Sequence, residues 1–128
     1  MTDFITELKE NEVFVYGSNR KGIPGAGAAK YARDKFGAVY GIGEGISGKS
    51  YGIPTKENPY KTLSLTDIAE HVTKFIEFAS NNPKLRFLVT EIGCGLAGYA
   101  VKDIAPLFKS ALKVKNIVLP TRFLEELK

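Results

Sequence analysis

The chain is poor in the residues that staple, ligate or anchor a protein. Cysteine and histidine occur once each, as Cys94 and His71, in 128 residues. A lone cysteine excludes an internal disulfide, and one cysteine with one histidine cannot make a Cys/His metal cluster, so neither metal nor cofactor is expected. No stretch approaches the ~20 apolar residues of a membrane-spanning helix. Residues 1–11, with Asp3, Glu7, Lys9 and Glu10, hold no apolar core of signal-peptide length. These absences lead to the expectation of a cytoplasmic protein with no membrane partner. A long basic run is missing too. The net charge of +4 is spread along the sequence, which helps attract a phosphorylated ligand but does not single out nucleic acid as a partner.

What is present is enough for one hydrophobic core, with 44% hydrophobic residues and no internal repeat or linker. Val13, Phe14, Val15 and Tyr16 predict a buried strand ending at Gly17. Behind a loop over residues 17–25, Ala28, Ala29, Ala32 and Phe36 recur at helical spacing, with Gly37 as the stop. Residues 38–40 and 50–53 predict two further strands joined by a glycine-dense turn. Pro54 is expected to end the second, leaving residues 55–63 as a polar loop. Ser64 and Asp67 have capping-box spacing before a helix whose apolar stripe is Ile68, Val72, Phe75, Ile76 and Ala79.

Residues 87–92 predict a strand that runs into a second glycine loop. Asp103 is expected to cap a helix carrying Ile104, Ala105, Phe108, Ala111 and Leu112, which places Pro106 in a first turn that needs no amide. A strand over residues 117–119 and a short helix over residues 123–127 close the series. This alternation predicts an α/β fold of one domain over residues 1–128, with a largely parallel sheet and helices on both faces. In such sheets ligands sit at the carboxyl ends of the strands.

Both glycine loops leave strands at that edge. The first runs from Gly17, Ser18 and Asn19 through Arg20 and Lys21 to Gly25, Ala26 and Gly27. The second is Gly93, Cys94, Gly95, Leu96, Ala97, Gly98 and Tyr99. Glycines between a strand and a helix let backbone N–H groups approach an anion, and the helix N-terminus adds roughly half a positive charge. Two such cradles suit a diphosphate, although any one of these glycines is equally explained as a tight turn. A rival pattern is literal: Gly43, Gly48, Lys49 and Ser50 have the spacing of a nucleotide-binding P-loop, which would make the chain a nucleotide phosphatase. A working P-loop must open a helix, yet Gly52 and Pro54 follow and the residues between look extended. Gly43, Gly45 and Gly48 also fit the dinucleotide fingerprint and fail for the same reason.

With these residues in view, the sequence resembles the macro domain family over nearly its whole length. Asn19 followed by Gly25, Ala26, Gly27, Ala28 and Ala29 is similar to the family's first motif, and residues 89–99 to its second. Within the family the likeness is to the terminal ADP-ribose glycohydrolase branch, through Gly-Ala-Gly at residues 25–27, Lys-Phe-Gly at 35–37 and Ile-Gly-Cys-Gly-Leu at 92–96. The resemblance implies a three-layer α/β/α macro-domain-like fold with a mixed, largely parallel central sheet. It further implies binding of ADP-ribose, or of an ADP-ribosylated macromolecule. By this likeness Asn19 holds the distal ribose. Residues 25–27 and Gly93, Cys94, Gly95, Leu96, Ala97 and Gly98 cradle the diphosphate, Tyr99 stacks near the ribose end, and Gly17, Ser18 and Ile92 are further ligand-binding positions.

In that branch a lysine after an Ile-x-Thr strand end attacks the ribose, and Lys56 occupies the similar place; Lys56 and Asn19 are thus the candidate catalytic residues of an ADP-ribosyl hydrolase. The branch's second catalytic residue, an aspartate directly after Ile-Gly-Cys-Gly-Leu, is Ala97 here. Alanine moves no protons, so Glu44, Glu91 or Asp103 would have to substitute. The family's adenine-reading aspartate has no clear counterpart either, Asp3 and Glu12 being poor substitutes.

Each singled-out residue also has a plainer reading. Cys94 is a small loop residue before it is a nucleophile. His71 is a solvated or satisfied helix residue, and Lys56, Arg20 and Lys21 are solvated loop charges. Tyr99 equally serves as packing at the sheet edge.

Overall fold

A computed structural model describes residues 5–128; Asp3 lies outside them. Strand β1 (Glu12–Asn19) is followed by α1 (Gly27–Phe36), β2 (Gly45–Ser47), β3 (Ser50–Asn58), β4 (Lys61–Thr62), α2 (Leu65–Ser80) and β5 (Arg86–Val89). Helix α3 (Val101–Ile104) then tightens into a 3₁₀ helix (Ala105–Lys113), and β6 (Ile117–Val118) and α4 (Thr121–Glu126) complete the chain. The sheet order is β2-β3-β1-β5-β6, with β4 also on β3. The pairs β1–β3, β1–β5 and β5–β6 are parallel, while β2 and β4 add to β3 antiparallel. The protein is therefore mixed α/β with a mostly parallel sheet.

Side-chain alternation along β1 divides the core between the two faces of the sheet. Val13 and Val15 join Ile53, Phe75, Phe87, Phe108 and Phe123 on the face covered by α2, the 3₁₀ helix and α4. Phe14 and Tyr16 point the other way, onto Ala32 and Phe36 of α1. Helix α2 forms where its stripe predicts, and Ser64 Oγ accepts from the Asp67 N–H at 3.2 Å. No helix among the described residues is long and apolar enough to cross a membrane.

Four expectations need correction. Residues 38–40 form no strand: Val39 and Tyr40 are exposed, and the Val39 N–H is taken by Ser47 Oγ at 2.6 Å. The edge strand is β2 instead, whose register against Tyr51 and Gly52 outweighs its weak local propensity. Pro54 does not end β3. It faces Ser18 of β1, past Gly52, the last residue paired with β2, and before Lys56, the first paired with β4. No outer neighbour needs its missing N–H, so the strand runs on to Asn58, and residues 55–63 become a hairpin. Asp103 is not the N-cap of α3 but its third residue, accepting from the Ala100 N–H at 3.2 Å. Last, β5 stops at Val89: both the N–H and the hydroxyl of Thr90 donate to the Val15 carbonyl, at 3.1 and 2.8 Å, and residues 90–92 leave the ladder.

Candidate functional site

At the carboxyl ends of β1, β3 and β5 the chain opens into a cleft of about 760 Å³. One wall is the end of β1, Gly17, Ser18 and Asn19, with Gly25, Ala26, Gly27, Ala28 and Ala29 behind it. Ile92, Gly93, Cys94, Gly95, Leu96 and Ala97 after β5 line it on one side of β1, and the β3 residues Thr55 and Lys56 line it on the other. A β-bulge sits at this point: Ser18 pairs with Pro54 but Asn19 with Lys56, so Thr55 is the extra residue and Lys56 is turned beside Asn19.

The two loops present amides differently. No side chain caps α1, and the first amide near its start to find a backbone acceptor is that of Lys30, donating to the Ala26 carbonyl at 3.3 Å. Among the described residues the amides of residues 25–29 thus have no acceptor, at the positive end of a ten-residue helix. In the second loop the amides of Cys94, Gly98 and Tyr99 are spent on the carbonyls of Glu91, Gly95 and Gly93. Those of Gly95, Leu96 and Ala97 have no acceptor among the described residues. Gly93, at φ 76°, is fixed by space as well: a β-carbon there would stand 2.8 Å from Ile104 Cδ1. The expectation of two helix N-termini at the site is corrected. Helix α3 spans four residues, contributes nothing to the cleft, and has its leading amide capped by Asp103.

Individual candidates fall into place unevenly. Asn19 lines the cleft, but its side chain grips the loop: Nδ2 donates to the Ile23 carbonyl at 2.9 Å and Oδ1 accepts from the Ile23 N–H at 3.1 Å. Lys56 also lines it, with Nζ donating to the Pro59 carbonyl at 2.7 Å. Gly98 and Tyr99 do not line it. Tyr99 is part-buried against the main core, its hydroxyl donating to the Leu63 carbonyl at 2.7 Å, which is the packing reading of that residue. Cys94 stays a thiol at neutral pH: burial, with the nearby Glu91 charge, pushes it up to about 11, so it is no ready nucleophile.

Of the carboxylates proposed to replace the missing aspartate at Ala97, Glu91 alone is in the cleft wall. Glu44 pairs with His71 and Lys74, Asp103 accepts from the Ala100 N–H, and Glu12 accepts from the Lys9 N–H and faces Arg86. His71 is buried and satisfied, its Nδ1 on Glu44 and its Nε2 accepting from Arg20 Nε at 3.3 Å, so it is not solvated. Arg20 turns away from the cleft toward His71 and Glu57.

The P-loop alternative finds no helix. Residues 45–52 are a β-hairpin, Lys49 Nζ donates to the Lys9 carbonyl at 2.8 Å, and Ser50 Oγ is buried on the Phe36 carbonyl at 3.1 Å. Residues to which the sequence assigns no ligand role also line the cleft: Ile23, Thr55, Pro59 and Thr90. Pro54 hid Thr55, and no local pattern marks the others. Neither a family model, nor a curated protein, nor a solved structure matches the chain.

Proposed function

We propose that this chain is a macro-like module, a three-layer α/β/α domain whose cleft binds ADP-ribose or an ADP-ribosyl group carried by a macromolecule. One observation carries the reading: the open amides of residues 25–29 and of residues 95–97 border a single cleft at the carboxyl ends of parallel strands. Convergent amides at a helix N-terminus solvate a diphosphate without a metal or a lysine clamp. The volume of about 760 Å³ suits a dinucleotide-sized ligand, within the ordinary range of small-molecule pockets. A lone thiol, Cys94, suits the cytoplasm. Calorimetric titration with ADP-ribose is expected to give saturable one-to-one binding. Flat heats up to millimolar ligand would remove the proposal.

Hydrolysis of ADP-ribosyl esters is the second reading, favoured by Lys56 in the cleft wall next to Asn19. A lysine nucleophile must first shed a proton and leave the Pro59 carbonyl. Lys56→Ala is expected to abolish release of ADP-ribose from a modified protein while leaving ADP-ribose affinity within a few-fold. Unchanged turnover rejects the lysine as nucleophile.

A further inference from the structure

A cleft walled by open amides also holds a carboxylate, Glu91, and a carboxylate beside an anion site repels the ligand the amides attract. The fold answers this from a distant part of the chain. Arg122 on α4 meets Glu91 with both arms of its guanidinium: Nε donates to Oε2 at 2.7 Å, and Nη2 donates to Oε1. Such a fork is the strongest form of carboxylate recognition and holds the charge of the cation against both oxygens. Its base is anchored in the core, because the adjoining Phe123 is fully buried and packs at a tilt on Phe108 with ring centroids 5.5 Å apart. The two charges act on the second glycine loop in opposite senses: at Cys94, Glu91 raises the thiol pKa and Arg122 lowers it.

We propose that Arg122 is a specificity-determining residue of the cleft: by holding Glu91 it cancels the carboxylate that the described residues place in the wall, and so permits a diphosphate to bind. The inference rests on the anion-binding reading given above. It concerns ligand charge, not the chemistry at Lys56. Arg122 acts through Glu91 and is therefore a positioning and compensating group.

The test is titration with ADP-ribose at low and at moderate salt, on the unmodified protein and on four variants. Arg122→Ala is expected to weaken binding by about tenfold at low salt, with the deficit shrinking as salt screens the uncovered charge. Adding Glu91→Gln to it restores the unmodified affinity, which a purely structural loss at α4 would not do across both salts. Glu91→Gln alone binds at least as tightly as the unmodified protein, and Arg122→Lys, which keeps the charge but not the fork, falls between the unmodified protein and the alanine variant. Arg122→Ala with unchanged affinity, a deficit that persists in the double variant, or weaker binding by Glu91→Gln each overturns the inference. No binding by the unmodified protein removes the proposed function itself, a different outcome from loss in the variants alone.

Discussion

At the scale of single residues, the first glycine loop is held from both sides. Asn19 staples Ile23 from within, and Leu96 crosses from the second loop, its Cδ1 3.0 Å from where a β-carbon on Gly27 would stand. Gly27 also sits at φ 61°, where an alanine costs about 1–2 kcal/mol. Gly27→Ala is therefore expected to lower stability by about that amount and to push Leu96 out of place, weakening ADP-ribose more than it weakens the fold. Equal ADP-ribose affinity in the alanine variant would show that the contact between the loops is irrelevant to the site. Asn19 lines the cleft, yet its side chain is engaged within its own loop. Its amide faces were assigned to ribose, whereas one donor and one acceptor go to Ile23, a bond four residues away that residue type alone cannot predict. Arg122 was illegible altogether, since its partner Glu91 lies 31 residues earlier.

At the scale of elements, local chemistry was readable wherever the signal was itself local. Helix α2 announced both its cap and its stripe, and Ile68, Val72, Phe75 and Ala79 are all buried. Replacing Ser64 by alanine is expected to cost about 1 kcal/mol through the loss of the bond to the Asp67 amide, read as a lowered denaturant midpoint with an unchanged slope. A change well below a few tenths would mean that water replaces the cap without loss. The β3–β4 hairpin was not readable. Its continuation past Pro54 depends on what lies on each side of that residue, and pairing partners are a property of the sheet. The same continuation carries Thr55 and Lys56 into the cleft lining, so the missed strand is also the missed site geometry. Residues 38–40 failed in the reverse sense: a β-favouring run that the fold uses as a connection, with Ala38 buried and Val39 and Tyr40 exposed.

At the scale of the whole molecule, two buried tyrosines and the half-buried Cys94 thiol give stability an alkaline limit. Tyr51 is raised from 10.0 to about 12 by burial and the Glu44 charge, and Cys94 from 9.0 to about 11. Burial raises Tyr16 as well. Each holds its proton more tightly folded than unfolded, so their contribution is intact below about pH 9 and is lost as pH climbs through about 11 to 12. Denaturant midpoints measured between about pH 8 and about pH 10.5 should fall. A midpoint rising over that interval would contradict the burial of these groups. The same core has Phe75 packed edge-on to Tyr51 and Phe87, which joins the helix α2 to the strands that end at the cleft.

The mostly parallel sheet puts the carboxyl ends of β1, β3 and β5 at one edge, and both glycine loops with them. Function is proposed from that convergence, so the decisive measurement observes the amides themselves. In a ¹⁵N–¹H correlation spectrum titrated with ADP-ribose, the amides of residues 25–29 and 95–97 are expected to shift together and saturate at one ligand per chain. Spectra that stay unchanged at millimolar ADP-ribose, or shifts confined to the hairpin over residues 45–52, would contradict the account.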